Sequence, residues 1–408
     1  MNYKNKKKII NDPIYGFINI PSELSFDIIE NSYFQRLRRI KQLGLTYLVY
    51  PGAIHTRFQH CLGAMHLMGI AMEALKGKGI DIEDKEVEGA IIAILLHDIG
   101  HGPFSHSLEN VLIKKFDHEI ISLKIFEQLN LKYNGSLDVG LKIFNNTYHK
   151  KYLHSLVSGQ LDMDRLDYLK RDSFFTGVSE GVISTERIIK MLNIHGSGLV
   201  VEAKGIYSIE NFIIARRLMF WQVYLHKTVL SAQHVLINLI KRAKYLLKQG
   251  ETLFATPSFD FFLRNDIETL DNNVIEQFND LDDYDVITSI KIWTKHKDKT
   301  LAFLSDAIIN RKLFHIELQT ESFSNELLDD YKKRAINKYK ISNDEVNYYI
   351  ITGNVINNMY NANQDKINIL LKDNTINDIA LASDQLNSSI LSKVVEKHFL
   401  IYPKDLFK

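Results

Sequence analysis

The chain has 408 residues, 45% of them hydrophobic and 24% charged, which is enough apolar material for a large core and for two or three domains. Fifty Lys and Arg against 49 Asp and Glu leave a formal net charge of +1, so no overall field draws the chain to nucleic acid or to an anionic membrane. The one cysteine, Cys61, excludes an intrachain disulfide framework and suits a reducing cytoplasm, and the apolar runs are too short and interrupted to span a bilayer.

The start, MNYKNKKKII, is basic but lacks the apolar stretch of a secretory signal, and Lys6 to Lys8 read first as a solvated tail. NDPIYGFINI is a turn signal with a short strand or hairpin. SFDIIENSYFQRLRRIKQLG predicts a helix stopped by Gly44, and RFQHCLGAMHLMGIAMEALK a second with small residues for close packing. EDKEVEGAIIAILLHD begins acidic and turns continuously apolar, as a buried helix does. Gly100, Gly102 and Pro103 end it, and Ser105 is placed to cap a helix over HSLENVLIKKF. Further helices are predicted at HEIISLKIFEQL, at SGQLDMDRLDYLKRDSFF and, as one long helix, from Ser208 to Lys248, with a short strand or hairpin at LVVEAKG. After Thr300 the runs KLFHIELQ, VNYYIITG, KINILLKD and HFLIYP are strand-like. The expected fold is mainly α: a helical core with a short β-hairpin over 1–300, followed by a smaller α+β C-terminal domain over 301–408.

LLHDIGHGPFSH carries the chemistry, because His and Asp are poor core residues unless paired or holding a metal. His97 and Asp98 end a buried helix and need partners. His60, in TRFQHCLG, and Asp164, in LDMDRLDY, are the best candidates, each among apolar residues. An adjacent His-Asp pair recurs by chance, and each residue alone fits a satisfied core His or a capping Asp. All four together suit a hard or borderline divalent ion. His106 with Glu109 at i+3 would give an imidazole whose acidity a carboxylate tunes. Asp164, Tyr168 and Asp172 recur at i, i+4 and i+8, along one helix face.

The strings NDPIYGFI, FQRLRRIKQLG, YPGAIHTRFQHCLG, LLHDIGHGPFSH, His118–Glu119, LDMDRLDYLKRD and VYLHK run in order from about Lys8 to Val235. In these the chain resembles the HD-domain phosphohydrolases of the deoxynucleoside triphosphate (dNTP) triphosphohydrolase group. The resemblance implies an HD-domain core and one divalent ion (Mn, Fe, Mg, Zn, Ni or Co) on His60, His97, Asp98 and Asp164. It implies that His106, Glu109 and His118 surround the reacting α-phosphate, with His101 close by. Glu109 stands where the vertebrate members have Asp and bacterial members Glu. Arg57, Arg165 and Arg216 match phosphate-binding positions, Asp172 and Tyr168 sugar-binding ones, and Gln42, Leu43 and Tyr224 positions that meet the base. Lys227 and His226 add charge nearby. Lys8, Ile9, Glu30, Gln35 and Arg38 match positions where some relatives bind an activating nucleotide between subunits. A homo-oligomer, dimer or tetramer, is implied with it. The bland reading of these is a surface ion pair between Arg38 and Glu30 and, for Arg216 and Arg217, a solvated helix face.

The expected activity is therefore metal-dependent hydrolysis of a dNTP at the α-phosphate to deoxynucleoside and triphosphate. The alternatives are another HD phosphohydrolase, such as a nucleotide monophosphatase or phosphodiesterase, and a nucleotide-binding regulator with weak activity. Against the second class, IGHG follows His-Asp where guanosine tetraphosphate hydrolases have an acidic pair, and the Gly-Tyr-Pro signature of cyclic-di-GMP phosphodiesterases is absent. Against the third, no ligand is missing.

Overall fold

The structure, a computed structural model, describes residues 8–357, 360, 366–386 and 394–407, and all of their side chains but that of His106. Lys6 and Lys7 of the basic start lie outside them. The chain is mainly α, 57% helical, as expected.

The N-terminal hairpin pairs β1 (Ile9–Asp12) with β2 (Gly16–Asn19). Asp12 Oδ1 accepts from the N–H groups of Ile14 and Tyr15, which closes the turn. The predicted helix over residues 25–44 is instead α1 (Glu23–Ile29), a break, α2 (Ser32–Gln35) and two 3-10 segments, Arg36–Arg39 and Gly44–Leu48. Asn31 makes the break, because its extended backbone and side chain cap Tyr33 and start a new helix.

The central pair is α3 (Arg57–Gly77) against α4 (Asp84–Leu96). A capping box between Glu83 and Glu86 starts α4, and Gly89 to Leu96 are all buried. Its C-terminal carbonyl end therefore points into the molecule at His97, where a cation is favoured. The predicted helix after Ser105 is one turn, α5 (Glu109–Leu112), preceded by a 3-10 turn. Ser105 does not cap it: Phe104 and Ser105 both have left-handed φ, 54° and 49°, and the Ser105 hydroxyl is taken by Arg57.

Next come α6 (His118–Lys132), α7 (Asp138–Phe144), α8 (Lys151–Val157), α9 (Met163–Thr176) and α10 (Thr185–Met191). Asp162 caps α9, which packs along α3. The second hairpin joins β3 (Leu192–His195) to β4 (Gly198–Glu202). The long helix predicted from Ser208 divides into α11 (Ile206–Met219), a π-helical turn at Phe220–Tyr224, and α12 (Lys227–Lys248). His226 separates them by capping Thr228 with its own ring nitrogen.

α13 (Pro257–Arg264), α14 (Asn272–Asp280), α15 (Asp283–Trp293) and α16 (Lys299–Ile309) complete the helical part. The remainder is β5 (His315–Gln319), α17 (Asn325–Tyr339), β6 (Ile351–Asn357), β7 (Asn368–Leu370), β8 (Ile376–Asp378), α18 (Ile379–Ala382) and β9 (Val395–Tyr402). β9 is central in the sheet β5-β9-β6, whereas β7 pairs parallel with β4 and extends the second hairpin to β3-β4-β7-β8. One hydrophobic cluster runs from Ile18 to Ile401. Among the described residues no helix is long and apolar enough to cross a membrane.

Candidate active site

His60, on the first turns of α3, and His97, at the end of α4, bring their Nε2 atoms to 3.3 Å of each other. Each ring uses its other nitrogen elsewhere: His60 Nδ1 lies 2.8 Å from Asp167 Oδ2, and His97 Nδ1 2.6 Å from the Ile94 carbonyl. Both Nδ1 atoms must donate, so two Nε2 lone pairs face each other unless a proton or cation lies between them. Asp164 Oδ1, from α9, lies 3.1 Å from His60 Nε2 and 3.5 Å from His97 Nε2. These three residues offer ligand atoms within 4.8 Å of one another. Asp98 stands beside them, its oxygens 3.4 Å from His97 Nε2 and 3.6 Å from His60 Nε2.

The electrostatics suit a cation. Burial lowers the His60 imidazolium, but the hydrogen bonds to Asp164 and Asp167 outweigh it and push the pKa up to about 10. Burial would raise Asp98 and Asp164. Arg57, His97 and His101 nevertheless hold Asp98 well below the usual carboxylate range, and His60 and His97 do the same for Asp164. The cluster thus binds a proton tightly, and a divalent ion competes for the same lone pairs.

Asp167 was not singled out in the sequence, although it lies one turn beyond Asp164. It is fully buried, held by Arg171, which reaches Asp12 of β1 at 2.8 Å. The room for this cluster comes from Gly63 on α3: a Cβ there would sit 2.0 Å from Asp167 Oδ1 and 2.3 Å from Arg171 Nη2.

Around the cluster, Arg57 donates to Asp98 and to Ser105 Oγ. His101 lies 3.3 Å from Asp98 and stacks on His118, ring centroids 3.9 Å apart. Burial, then the Arg57 charge, holds His101 well below its ordinary value. Glu109 Oε1 accepts from both the backbone and the ring of His118. This His118–Glu109 pair was not foreseen. The expected pairing of Glu109 with His106 lies outside the described residues.

The other face of the cleft is built on α9. Tyr224, at the π-helical turn, packs edge-on against Tyr168 and donates to Asp172 Oδ2 at 2.8 Å. π-turns often mark functional sites. His55, also not foreseen, holds Asp172 Oδ1 at 2.8 Å and stacks on Phe175. Arg165 and Arg216 both act electrostatically on Tyr168, and Arg165 Nε donates to the Gly159 carbonyl. Arg216 Nη1 meets Gln160, whereas its buried Nε has no partner among the described residues, and the same holds for Gln42 Oε1. Leu43 is half-buried beside Gln42, and Lys227 is exposed at the start of α12. Of the N-terminal set, Arg38 stacks on Phe58 and donates to Gln35, which donates to the Ile29 carbonyl next to Glu30. Lys8 sits over Phe26, and Ile9 is exposed.

The family model for the HD domain matches residues 57–172, and that for the HD-associated region matches 183–253. The chain is 33% identical to the uncharacterized protein YwfO of Bacillus subtilis, over 98% of this chain and 93% of that protein. It is 30% identical to the deoxynucleoside triphosphate triphosphohydrolase SAMHD1 homolog of Dictyostelium discoideum, over 62% of this chain and 52% of that protein. Among solved structures, a phosphohydrolase from Bacteroides thetaiotaomicron is 51% identical, with a TM-score of 0.94 over 97% of this chain and all of that one.

Proposed function

The chain belongs to the HD-domain phosphohydrolase family, and from that premise we propose that it hydrolyses dNTPs at the α-phosphorus, releasing deoxynucleoside and triphosphate. The observation that carries the reading is the composition of one helix: α9 supplies Asp164 to the imidazole pair and, further along, Tyr168 and Asp172, which share Tyr224 as neighbour. A phosphate-bond centre is thereby joined to a surface suited to a sugar. The likeness to a named dNTP triphosphohydrolase supports the substrate class.

His60, His97 and Asp164, with Asp98 beside them, would hold the divalent ion. Bound there, it supplies Lewis-acid polarisation of the α-phosphoryl group and an acidified water. Arg57, Arg165 and Arg216 neutralise the phosphate chain, and the Arg216 Nε–H, without a partner among the described residues, is available to a phosphate oxygen. Asp172 accepts from the 3'-hydroxyl, since a carboxylate already bonded to His55 and Tyr224 keeps lone pairs for a third donor. Gln42 Oε1, buried and without a partner among the described residues, accepts from a base N–H, with Leu43 and Tyr224 against the ring. Water adds to the α-phosphorus and releases a proton to solvent, the bond to the 5'-oxygen breaks, and His118, whose protonated form the Glu109 hydrogen bond favours, or His106 gives a proton to that oxygen. The N-terminal set Lys8, Ile9, Glu30, Gln35 and Arg38 is the proposed seat of an activating nucleotide in a homo-oligomer.

The test is an assay of each dNTP with Mn, Mg, Fe, Co, Ni or Zn, with and without a second nucleotide, followed by product analysis. Triphosphate and deoxynucleoside are expected, with metal content and turnover both lost in Asp164→Ala. Pyrophosphate with a monophosphate would put the cleavage at the wrong bond, and full metal occupancy in Asp164→Ala would remove the metal centre.

A further inference from the structure

The segment that follows both matched regions reaches back into the cleft. Asp283, the first residue of α15, is buried, with 1% of its surface exposed. Its Oδ1 accepts the Phe104 N–H at 2.9 Å, and its Oδ2 accepts the Lys41 N–H at 3.0 Å. The Lys41 ammonium lies 3.6 Å from the same oxygen. The two backbone donors belong to the two loops that flank the cleft. Phe104 starts the left-handed pair whose second member, Ser105, holds Arg57; Lys41 precedes Gln42. The loops nearly touch here, since a Cβ on Gly44 would lie 3.3 Å from the Phe104 carbonyl. Just before Asp283, the Leu281 carbonyl accepts from buried Arg36, whose remaining nitrogens donate to the carbonyls of Ile99 and His101.

We infer that Asp283 is a positioning residue of the active site, stapling the Phe104–Ser105 turn to the Lys41–Gln42 loop at fixed separation. Two left-handed residues in a row are held only when their surroundings over-determine them. The chemistry explains the residue type. An acceptor-only carboxylate satisfies two converging N–H donors, whereas Asn of the same shape turns an NH2 toward one of them and leaves a buried N–H unpaired. The catalytic part of the inference rests on the hydrolase reading above; the structural part does not.

The experiment compares the full chain with Asp283→Asn and Asp283→Ala. Amide hydrogen exchange of residues 41–44 and 99–105 is expected to quicken roughly tenfold or more in both variants, with α3 and α9 unchanged. Manganese content should be retained. The kcat for the dNTP that the unmodified chain hydrolyses should fall about ten- to a hundredfold, as for a misplaced catalytic loop, with less loss in Asn than in Ala. Unchanged exchange in the two loops, unchanged kcat, or acceleration spread equally through α3 and α9 would overturn the inference. Should the unmodified chain hydrolyse no dNTP, the substrate reading fails, and the exchange of the Asn variant alone decides the role of Asp283.

Discussion

At His60 the two ring nitrogens have different duties, and Asp167 enforces the division by taking Nδ1. Asp167→Asn keeps the shape but removes the charge that makes Nε2 a strong donor. Metal affinity, read by calorimetric titration, is expected to weaken about 10- to 100-fold. At His118, burial alone would lower the imidazolium, but the Glu109 hydrogen bond and the Asp98 charge carry its pKa above the ordinary value. A raised folded pKa stabilises the protein fully below the unfolded value, about 6.5, and that gain is lost as pH rises through the folded pKa. The alkaline limb of kcat/KM should therefore move to lower pH in Glu109→Gln; a limb that stays put assigns the proton to another group. Tyr168 is proposed to exclude the 2'-hydroxyl. A hydroxyl buried there without a partner costs about 1–3 kcal/mol, on the order of ten- to a hundredfold in selectivity. Tyr168→Ala should lower the dGTP/GTP ratio of kcat/KM, and an unchanged ratio makes Tyr168 an ordinary cleft aromatic.

At the scale of elements, α3 and α9 approach closely because Gly63 leaves space that Asp167 and Arg171 fill. Gly63→Ala would force two fully buried charged groups aside. A loss of about 1–3 kcal/mol is expected from overpacking, measured by chemical denaturation, together with weaker metal binding because His60 loses its partner. Stability within a few tenths of the unmodified chain would show that α9 can slide. The same contact shows what was legible in the sequence. His60, His97 and Asp164 were readable because each is a polar residue in an apolar string; α3 followed from apolar residues at helical spacing and α4 from its acidic start and continuous apolar run, and α6 and α9 were predicted with them. Asp167 and Asp12 were not, since their meaning lies in a chain through Arg171 that joins residues 159 positions apart. The break at Asn31, the single turn of α5 and the π-turn before His226 were missed for another reason. In each, a side chain or a tertiary contact overrides a helical pattern that continues on paper.

Across the whole molecule, the proposed division into 1–300 and 301–408 meets contacts that cross it. On α12, Ser231 donates to the Phe314 carbonyl and Asn238 to the Asn347 carbonyl. Arg242 divides its guanidinium between Asp298 and Glu345, one on either side of the boundary. β4 gains its second neighbour from β7, and the same hydrophobic cluster includes Ile240 and Ile401. A fragment ending at 300 would leave Ser231 and Asn238 without acceptors, would cut α16 after its second residue, and would uncover apolar surface on α12. Each buried donor stranded in this way costs about 1–3 kcal/mol, so a few together approach the 5–15 kcal/mol that holds a typical domain. The full chain is thus expected to melt in one cooperative transition, by calorimetry and by circular dichroism alike, and residues 1–300 alone to show none. Two separated transitions, or a fragment that melts cooperatively and binds metal, would instead make 301–408 an independent module on a self-sufficient catalytic core.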